Sequence, residues 1–390
     1  RRMTGSITFF PVDNGDMTLI RLGDLRETRI LIDCNIRAAA DDPDDTCRDV
    51  GRDLRSRLPT DSRGRPFVHA FILSHPDQDH CSGLRRHFWL GPLIDYSDDD
   101  KPQHEKRIVI LEMLSSPMVF RRASKKHTLC DDALAFKAEA RRRVRVNRDL
   151  RFVGISDGDR IQVLGEDQDG KTDDLGPILV RTGERFSRLG GEENHYCSAH
   201  LLAPLPPQDE ETEALLSKND SSIVLNWQLA EDYDATDACR FFAGGDAEVA
   251  IWERLWARYQ HEPATLAYDL LQAPHHCSWH SLSYDSWSER GEDAKVADTA
   301  RNALGQARQG AFVVASSKPI EDDGSDPPCI RAKREYVAIL EDVDGKFYCT
   351  GEYRSRRAPE PLEFSLSRHG PCLRVASGAV VAMGSSQRAG

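Results

Sequence analysis

No apolar run in the 390-residue chain approaches the ~20 residues that a membrane-spanning helix needs. The early apolar stretch at 7–12 is also too short for the core of a secretory signal. There is no CxxC pair and no dense cysteine framework. The ten cysteines are scattered, as expected of reduced thiols in a cytoplasmic protein rather than a disulfide scaffold or zinc ribbon. A G-x-S-x-G nucleophile elbow and a phosphate-binding P-loop are both missing. So are short repeats and low-complexity linkers. These absences remove serine-hydrolase, P-loop, solenoid and membrane-spanning readings.

What the chain does have is 39% hydrophobic and 30% charged residues with a net charge of −12. That balance suits a globular protein with a sizeable core and argues against a general nucleic-acid coat. The charge is uneven. Acidic clusters lie at 41–45 and 95–100, whereas residues 121–151 carry eleven Lys/Arg against four Asp/Glu. Within that segment Arg141, Arg142, Arg143 and Arg145 are expected to contact a phosphate backbone, although a solvated helix face explains them equally well.

Hydrophobic patterning predicts strands over 6–10, 17–22, 29–32, 68–73, 107–112, 161–164 and 178–180. In the second half it predicts strands over 222–227, 239–243, 268–273, 311–316 and 346–350. Helical spacing is expected over 45–58, from 83 onwards, and over 131–146, 210–218, 247–259, 294–309 and 330–340. Residues 182–195 read as a loop. Strands separated by helices in both halves imply a layered α/β architecture. The expected organisation is one catalytic domain over 1–390 with a variable helical and β insertion at 93–196.

Three segments just past predicted strands carry the chemistry. HPDQDH at 75–80 follows a buried strand and offers His75, Asp77, Asp79 and His80 within six residues. In a core each charge would need its own partner; on a loop they can wrap cations. A polar helix cap at Asp79 is the bland alternative. Gly244-Gly245-Asp246 places a carboxylate after backbone that can approach closely, and a turn with an N-cap is its alternative. Pro274-His275-His276-Cys277-Ser278 supplies adjacent imidazoles for a ligand and a supporting or catalytic partner; one buried and one exposed histidine would be the plain reading. The coincidence of all three at strand ends favours a metal centre.

These residues resemble the metallo-β-lactamase superfamily, in particular the ComEC-like branch named for the soluble domain of a bacterial DNA-uptake protein. The resemblance rests on FPVDNGD at 10–16, Leu31-Ile32-Asp33, the HxDxDH motif at 75–80 with Gly83-Leu84, and Asn219-Asp220-Ser221-Ser222 before a strand. It continues in Gly245-Asp246, the His-His loop at 274–278 running on to Ser281, and Thr350-Gly351. It covers 1–92 and 197–352 and says little about 93–196. Cys277 stands where the family has glycine, leaving a thiol near the metals. His280 adds an imidazole, and the family's late His-Pro pair has no counterpart near Pro327-Pro328.

The resemblance implies an αββα sandwich, two mixed β-sheets flanked by helices, around two divalent ions. Asp77 in place of a histidine shifts preference toward Mn²⁺ or Mg²⁺, with Zn²⁺ still compatible. His75 and Asp77 are expected on one ion, Asp79 and His80 on the other, and Asp246 between them, with His275 or His276 completing the set. Asn219, Asp220 or Ser278 is the expected additional ligand or substrate contact. A shared hydroxide between ions ~3.5–4 Å apart would attack a phosphodiester in line, with Asp79 in the catalytic centre and His276 or His280 protonating the leaving oxygen. The branch implies DNA as substrate and a nuclease, possible as an effector in antiphage defence held in check by a protein partner. A small phosphodiester, ester or lactone hydrolase is the alternative.

Overall fold

The computed structural model describes residues 4–375. The strands of the first sheet's run come first: β1 (Ser6–Phe9), β2 (Thr18–Arg21), β3 (Arg29–Ile32), β4 (Phe67–Ile72), β5 (Val109–Ser115), β6 (Arg160–Leu164) and β7 (Leu179–Val180). Next come β8 (Arg185–Phe186), a two-strand ribbon of β9 (Arg188–Leu189) and β10 (Glu192–Glu193), then β11 (Cys197–Ala203), β12 (Val224–Leu229) and β13 (Cys239–Ala243). The last are β14 (Tyr268–Gln272), β15 (Ala307–Ala315), β16 (Lys346–Cys349), β17 (Leu362–Ser367) and β18 (Gly370–Leu373).

They form two mixed sheets. The first has the order β18-β17-β1-β2-β3-β4-β5-β6-β7, antiparallel up to β3 and parallel from β3 to β7. The second has the order β16-β15-β14-β13-β12-β11-β8, parallel from β16 to β13 and antiparallel beyond. The sheets pack face to face. Phe9 of the first meets Phe241 of the second edge-on, with ring centroids 5.7 Å apart, and Thr18 Oγ1 donates to Gln272 Oε1 at 3.0 Å across the interface. Helices cover the outer faces. Helix Asp131–Asp149 buries Phe136, Ala140 and Arg143 toward the first sheet. Helices Val249–Tyr259, Asp298–Leu304 and Ile330–Glu341 join the apolar cluster on the second. Burial on both faces of the parallel strands accounts for their continuous apolar sequences.

Most expected elements are present with trimmed ends. The helix expected over 294–309 spans only Asp298–Leu304; Gly305 follows it, and the chain extends into β15 from Ala307. The helix expected over 45–58 shrinks to Val50–Arg55, where Asp49 accepts from Arg52 N. The expected loop at 182–195 contains the short strands β8 to β10. Unforeseen elements include β11, where Ser198 and His200 alternate with Cys197, Ala199 and Leu201, and β17 and β18. Helix Pro117–Lys126 was also missed, though Ser116 caps it and proline occupies its first turn. Segment 93–196 supplies β5, β6 and β7 to the edge of the first sheet, together with the two longest-basic helices of that face.

The topology brings strand ends together. The turn after β2's partner strand β1, the end of β3, the loop after β4, the turn after β13 and the loop after β14 meet between the sheets. Asp16 N donates to Asp79 O, Ser316 Oγ donates to Gly15 O, and His275 N donates to Gly245 O. Among the described residues no helix is long and apolar enough to cross a membrane.

Candidate metal centre

β4 ends at Ile72, and the loop that follows turns His75 and His80 inward, both fully buried. Asp33, directly after β3, anchors this loop. It accepts from Ser74 N at 2.7 Å, from the Ser74 hydroxyl, and from His80 Nδ1 at 2.8 Å. Donating through Nδ1 turns His80 Nε2 toward Asp246, whose Oδ1 lies 2.9 Å away. Asp246 is set by Gly245, which has φ +51°; a Cβ there would meet Ser74 Oγ at 2.9 Å. The turn therefore needs glycine both for its conformation and for the close approach.

The loop after β14 is the most unusual backbone in the centre. His275, His276 and Cys277 all have positive φ, at 50°, 54° and 68°. Three consecutive non-glycine residues in this region are costly, by roughly 1–2 kcal/mol each. Contacts on both sides hold them: His275 N to Gly245 O and Cys329 N to Cys277 O, each 2.9 Å. The result points His276 into the cluster. Its Nε2 lies 3.1 Å from Asp79 Oδ2 and 3.4 Å from Asp246 Oδ1, and its Nδ1 lies 3.4 Å from Asp16 Oδ1.

Asp79, His80, Asp246 and His276 each bring a ligand atom within 4.8 Å of the others, and Asp16, Asp33 and His80 form a second such group. Beside them, His75 Nδ1 is 3.9 Å from Asp246 Oδ2 and 3.9 Å from Asp77 Oδ2, while His275 Nε2 is 3.8 Å from Asp246 Oδ2. The two oxygens of Asp246 thus face different histidine pairs.

Both nitrogens of His75 and of His276, together with His80 Nε2 and Asp246 Oδ1, are buried without a hydrogen bond. So many convergent orphaned polar atoms are expensive unless something satisfies them together. A divalent cation fits this donor set: imidazole nitrogens and carboxylate oxygens at short mutual distances, with Asp33 behind His80 and Asp16 behind His276 to orient the rings.

The electrostatics agree. Burial opposes charge on His80 and His276, but Asp246, with Asp33 for His80 and Asp16 and Asp79 for His276, outweighs it and raises both well above the ordinary histidine range. Burial would raise Asp246, yet His80, His276 and His275 hold it well below the carboxylate range. Asp79 is likewise brought down to about 2 against its burial, through His276 and His80. His75, with weaker carboxylate support, is pushed by burial to about 4. The carboxylates demand positive charge, which protons or a cation can supply.

The expected site residues divide between the cluster, its border and other work. His276, expected as a proton donor, has both nitrogens among carboxylates and occupies a ligand position. His275, expected as a ligand, is at the edge and also approaches Glu248. Asp77 forms an ion pair with Lys218. Asn219 donates to Glu248 at 2.8 Å instead of joining the cluster. Asp220 accepts from Ser217 N, a structural bond. Ser278 donates to Asp326 at 2.7 Å and caps the following turn. His280, half exposed, lies 3.8 Å from Asp326 at the rim. The thiol expected near the metals points away: Cys277 belongs to the apolar cluster outside the second sheet. Its left-handed φ is the reason glycine suits the position.

The basic set divides. Arg143 is 1% exposed and spends its guanidinium on Glu139 and on the carbonyls of Ile110 and Arg160. Arg142 is committed to Glu139 and Asp159. Neither is free to bind a phosphate backbone; Arg141 and Arg145 are exposed. Sequence reasoning missed Asp16, Asp33 and Lys218 as site residues. Their signal was position: Asp33 ends a buried strand, and Lys218 precedes the Asn-Asp-Ser-Ser segment.

No known family profile matches the chain, and no curated protein matches it.

Proposed function

We propose that the protein is a dinuclear-metal phosphodiesterase of the metallo-β-lactamase fold that cleaves DNA. The observation that carries this reading is Asp246, whose Oδ1 faces His80 and His276 while its Oδ2 faces His75 and His275. A carboxylate shared between two histidine pairs suits two cations. In this reading His75, Asp77 and His275 hold one, Asp79, His80 and His276 hold the other, and Asp246 serves both. Such a pair, of which Mn²⁺ is the favoured ion on this donor set, supplies Lewis-acid polarisation of a phosphoryl oxygen and a lowered pKa for water.

The chain's own residues do the rest. Asp33 and Asp16 fix the ring orientations of His80 and His276. Lys218, beside Asp77 at the centre's border, is placed to balance a substrate anion. His280, on the rim, is the group left to deliver a proton to a leaving oxygen.

The test is cleavage of single- and double-stranded DNA by the purified protein across divalent cations. Mn²⁺-dependent cleavage that is lost in Asp79→Ala and Asp246→Ala supports the proposal. Hydrolysis of bis(p-nitrophenyl) phosphate with DNA and RNA left intact replaces it with a small-substrate phosphodiesterase. Inactivity toward all of them in the metal-loaded protein points to a required partner.

A further inference from the structure

A cavity of about 790 Å³ lies apart from the metal ligands, between helices Pro117–Lys126 and Asp131–Asp149 and strand β6. That volume is typical of small-molecule sites. Its floor is apolar, formed by Phe120, Val144, Ile161 and Val163; Phe120 stacks on Phe136 at 6.0 Å. Its walls carry seven Lys/Arg against two carboxylates, Asp149 and Asp167.

Three of the cations are already matched: Arg121 with Asp167 and Glu213, Arg148 with Asp174, and Lys171 with Asp169. Lys125, Lys137, Arg141 and Arg145 have no carboxylate partner among the described residues. Lys137 donates only to Ser124 Oγ at 3.0 Å, and its Nζ sits 5.8 Å from the Phe120 ring centre. Burial, with Arg141 adding to it, lowers the Lys137 pKa. Lys137, Arg141 and Arg145 recur every fourth residue, on one helix face at steps of about 6 Å. Four unmatched cations around an apolar floor, on a chain with net charge −12, call for a ligand that is both multiply anionic and partly apolar.

The structure assigns this cavity, we infer, as a nucleotide-binding subsite, with phosphates on Lys125, Lys137, Arg141 and Arg145 and the base over Phe120 and Val144. Inorganic phosphate would leave the floor unused, and a fatty acid would answer one cation of four. The base gains from stacking and from the cations beside the ring. The cavity reaches Ser115 at the C-terminal end of β5. β5 runs parallel to β4, so this end of the cavity lies on the same sheet edge as the loop at 75–80, where α/β sheets receive ligands. A free nucleotide and one nucleotide of a strand present the same chemistry.

The inference does not depend on cleavage, so it is tested on the full chain in EDTA. Binding of ATP, AMP, inorganic phosphate and a short labelled oligodeoxythymidine is followed by calorimetry and fluorescence polarisation. Wild-type protein is expected to bind a nucleotide or the oligonucleotide, and inorganic phosphate about tenfold more weakly or worse. The double variant Lys137→Glu/Arg141→Glu should weaken binding about tenfold or more and flatten its salt dependence, with an unchanged melting temperature reporting an intact fold. Binding of mononucleotides identifies a free-nucleotide site; binding of the oligonucleotide alone identifies a strand subsite. The proposal is overturned if neither binds, if phosphate binds as tightly as ATP, or if Arg141→Glu and Arg145→Glu variants that remain folded bind like wild type. Cleavage without such binding would sink this inference alone, and binding without cleavage would leave it standing.

Discussion

Asp246 Oδ1 lies 2.9 Å from His80 Nε2 without the angles of a hydrogen bond. Two groups this close and this buried are held in place by the fold around them, and their shared direction is toward a common third atom. Replacing Asp246 with alanine should therefore remove divalent-ion binding while leaving the sheets intact. Elemental analysis after Mn²⁺ loading and gel filtration reads the outcome; undiminished metal content would remove Asp246 from the centre.

Asp33 lies 2.8 Å from His80 Nδ1 and holds that ring. Asp33→Asn keeps its shape but loses the charge that orients the imidazole, and a change at such a supporting position typically costs about 10–100-fold in metal affinity. Calorimetric titration with Mn²⁺ measures it. An affinity equal to wild type would show that Ser74 and packing suffice to aim His80.

A cation that binds only the folded chain must stabilise it. At a hundredfold excess over Kd the gain is about 2.7 kcal/mol. Melting temperature should rise with Mn²⁺ and fall back with EDTA, and the rise should vanish in Asp246→Ala. No rise in the wild type would argue against a cation at these residues.

The basic helix should respond unevenly. Arg143→Met leaves Glu139 with Arg142 alone and strips the buried carbonyls of Ile110 and Arg160 of a donor, and should cost about 1–3 kcal/mol. Arg141→Glu changes an exposed position and should stay within about 0.5 kcal/mol. Urea unfolding compares them, and similar losses would contradict the division of this helix into a structural and an available set.

His69 gives a pH signature away from the metal loop. It is buried in β4, its Nδ1 accepts from Arg29 N at 3.0 Å, and burial, with Arg26 beside it, lowers its pKa to about 4. Above the ordinary value near 6.5 it is neutral folded and unfolded, so its contribution is fully present. Below that the unfolded chain takes up a proton that the folded chain refuses. Stability falls as pH drops from about 6.5 to about 4, by about 3 kcal/mol in all. His69→Asn should flatten this window in urea midpoints measured against pH; an identical slope would assign the titration elsewhere.

The convergence of Asp79, His80, Asp246 and His276 was legible because polar residues gathered at strand ends leave a local mark. Asp16 and Asp33 fell inside the motifs at 10–16 and 31–33, but nothing local marked either as part of the centre. Each reads as a turn or a strand end, and its role exists only because the fold carries His276 or His80 to it from a distant part of the sequence. The arginine run misled for a different reason. Counted as charge it looks exposed, but Phe136, Ala140, Arg143 and Asn147 share one buried helix face, the phase expected of a core stripe. Helical phase, applied to the charged residues as well as the apolar ones, would have separated Arg143 from Arg141. β17 does alternate, with Leu362, Phe364 and Leu366 buried between Glu363, Ser365 and Ser367, and its signal was overlooked; β18 carries no such pattern and is defined by its pairing with β17.

The pairing of β17 with β1 has a bearing on how the chain is made. β1 bonds to β2 on one side and to β17 on the other, so during synthesis it waits for a partner from far along the chain. Until residues 362–367 emerge, one side of Ser6–Phe9 is an open ladder of unpaired amides and carbonyls beside the apolar Phe9 and Ile7, the kind of edge that invites association between chains. Synthesis must bridge that interval, and a nascent protein stalled before β17 would be exposed to aggregation along this seam.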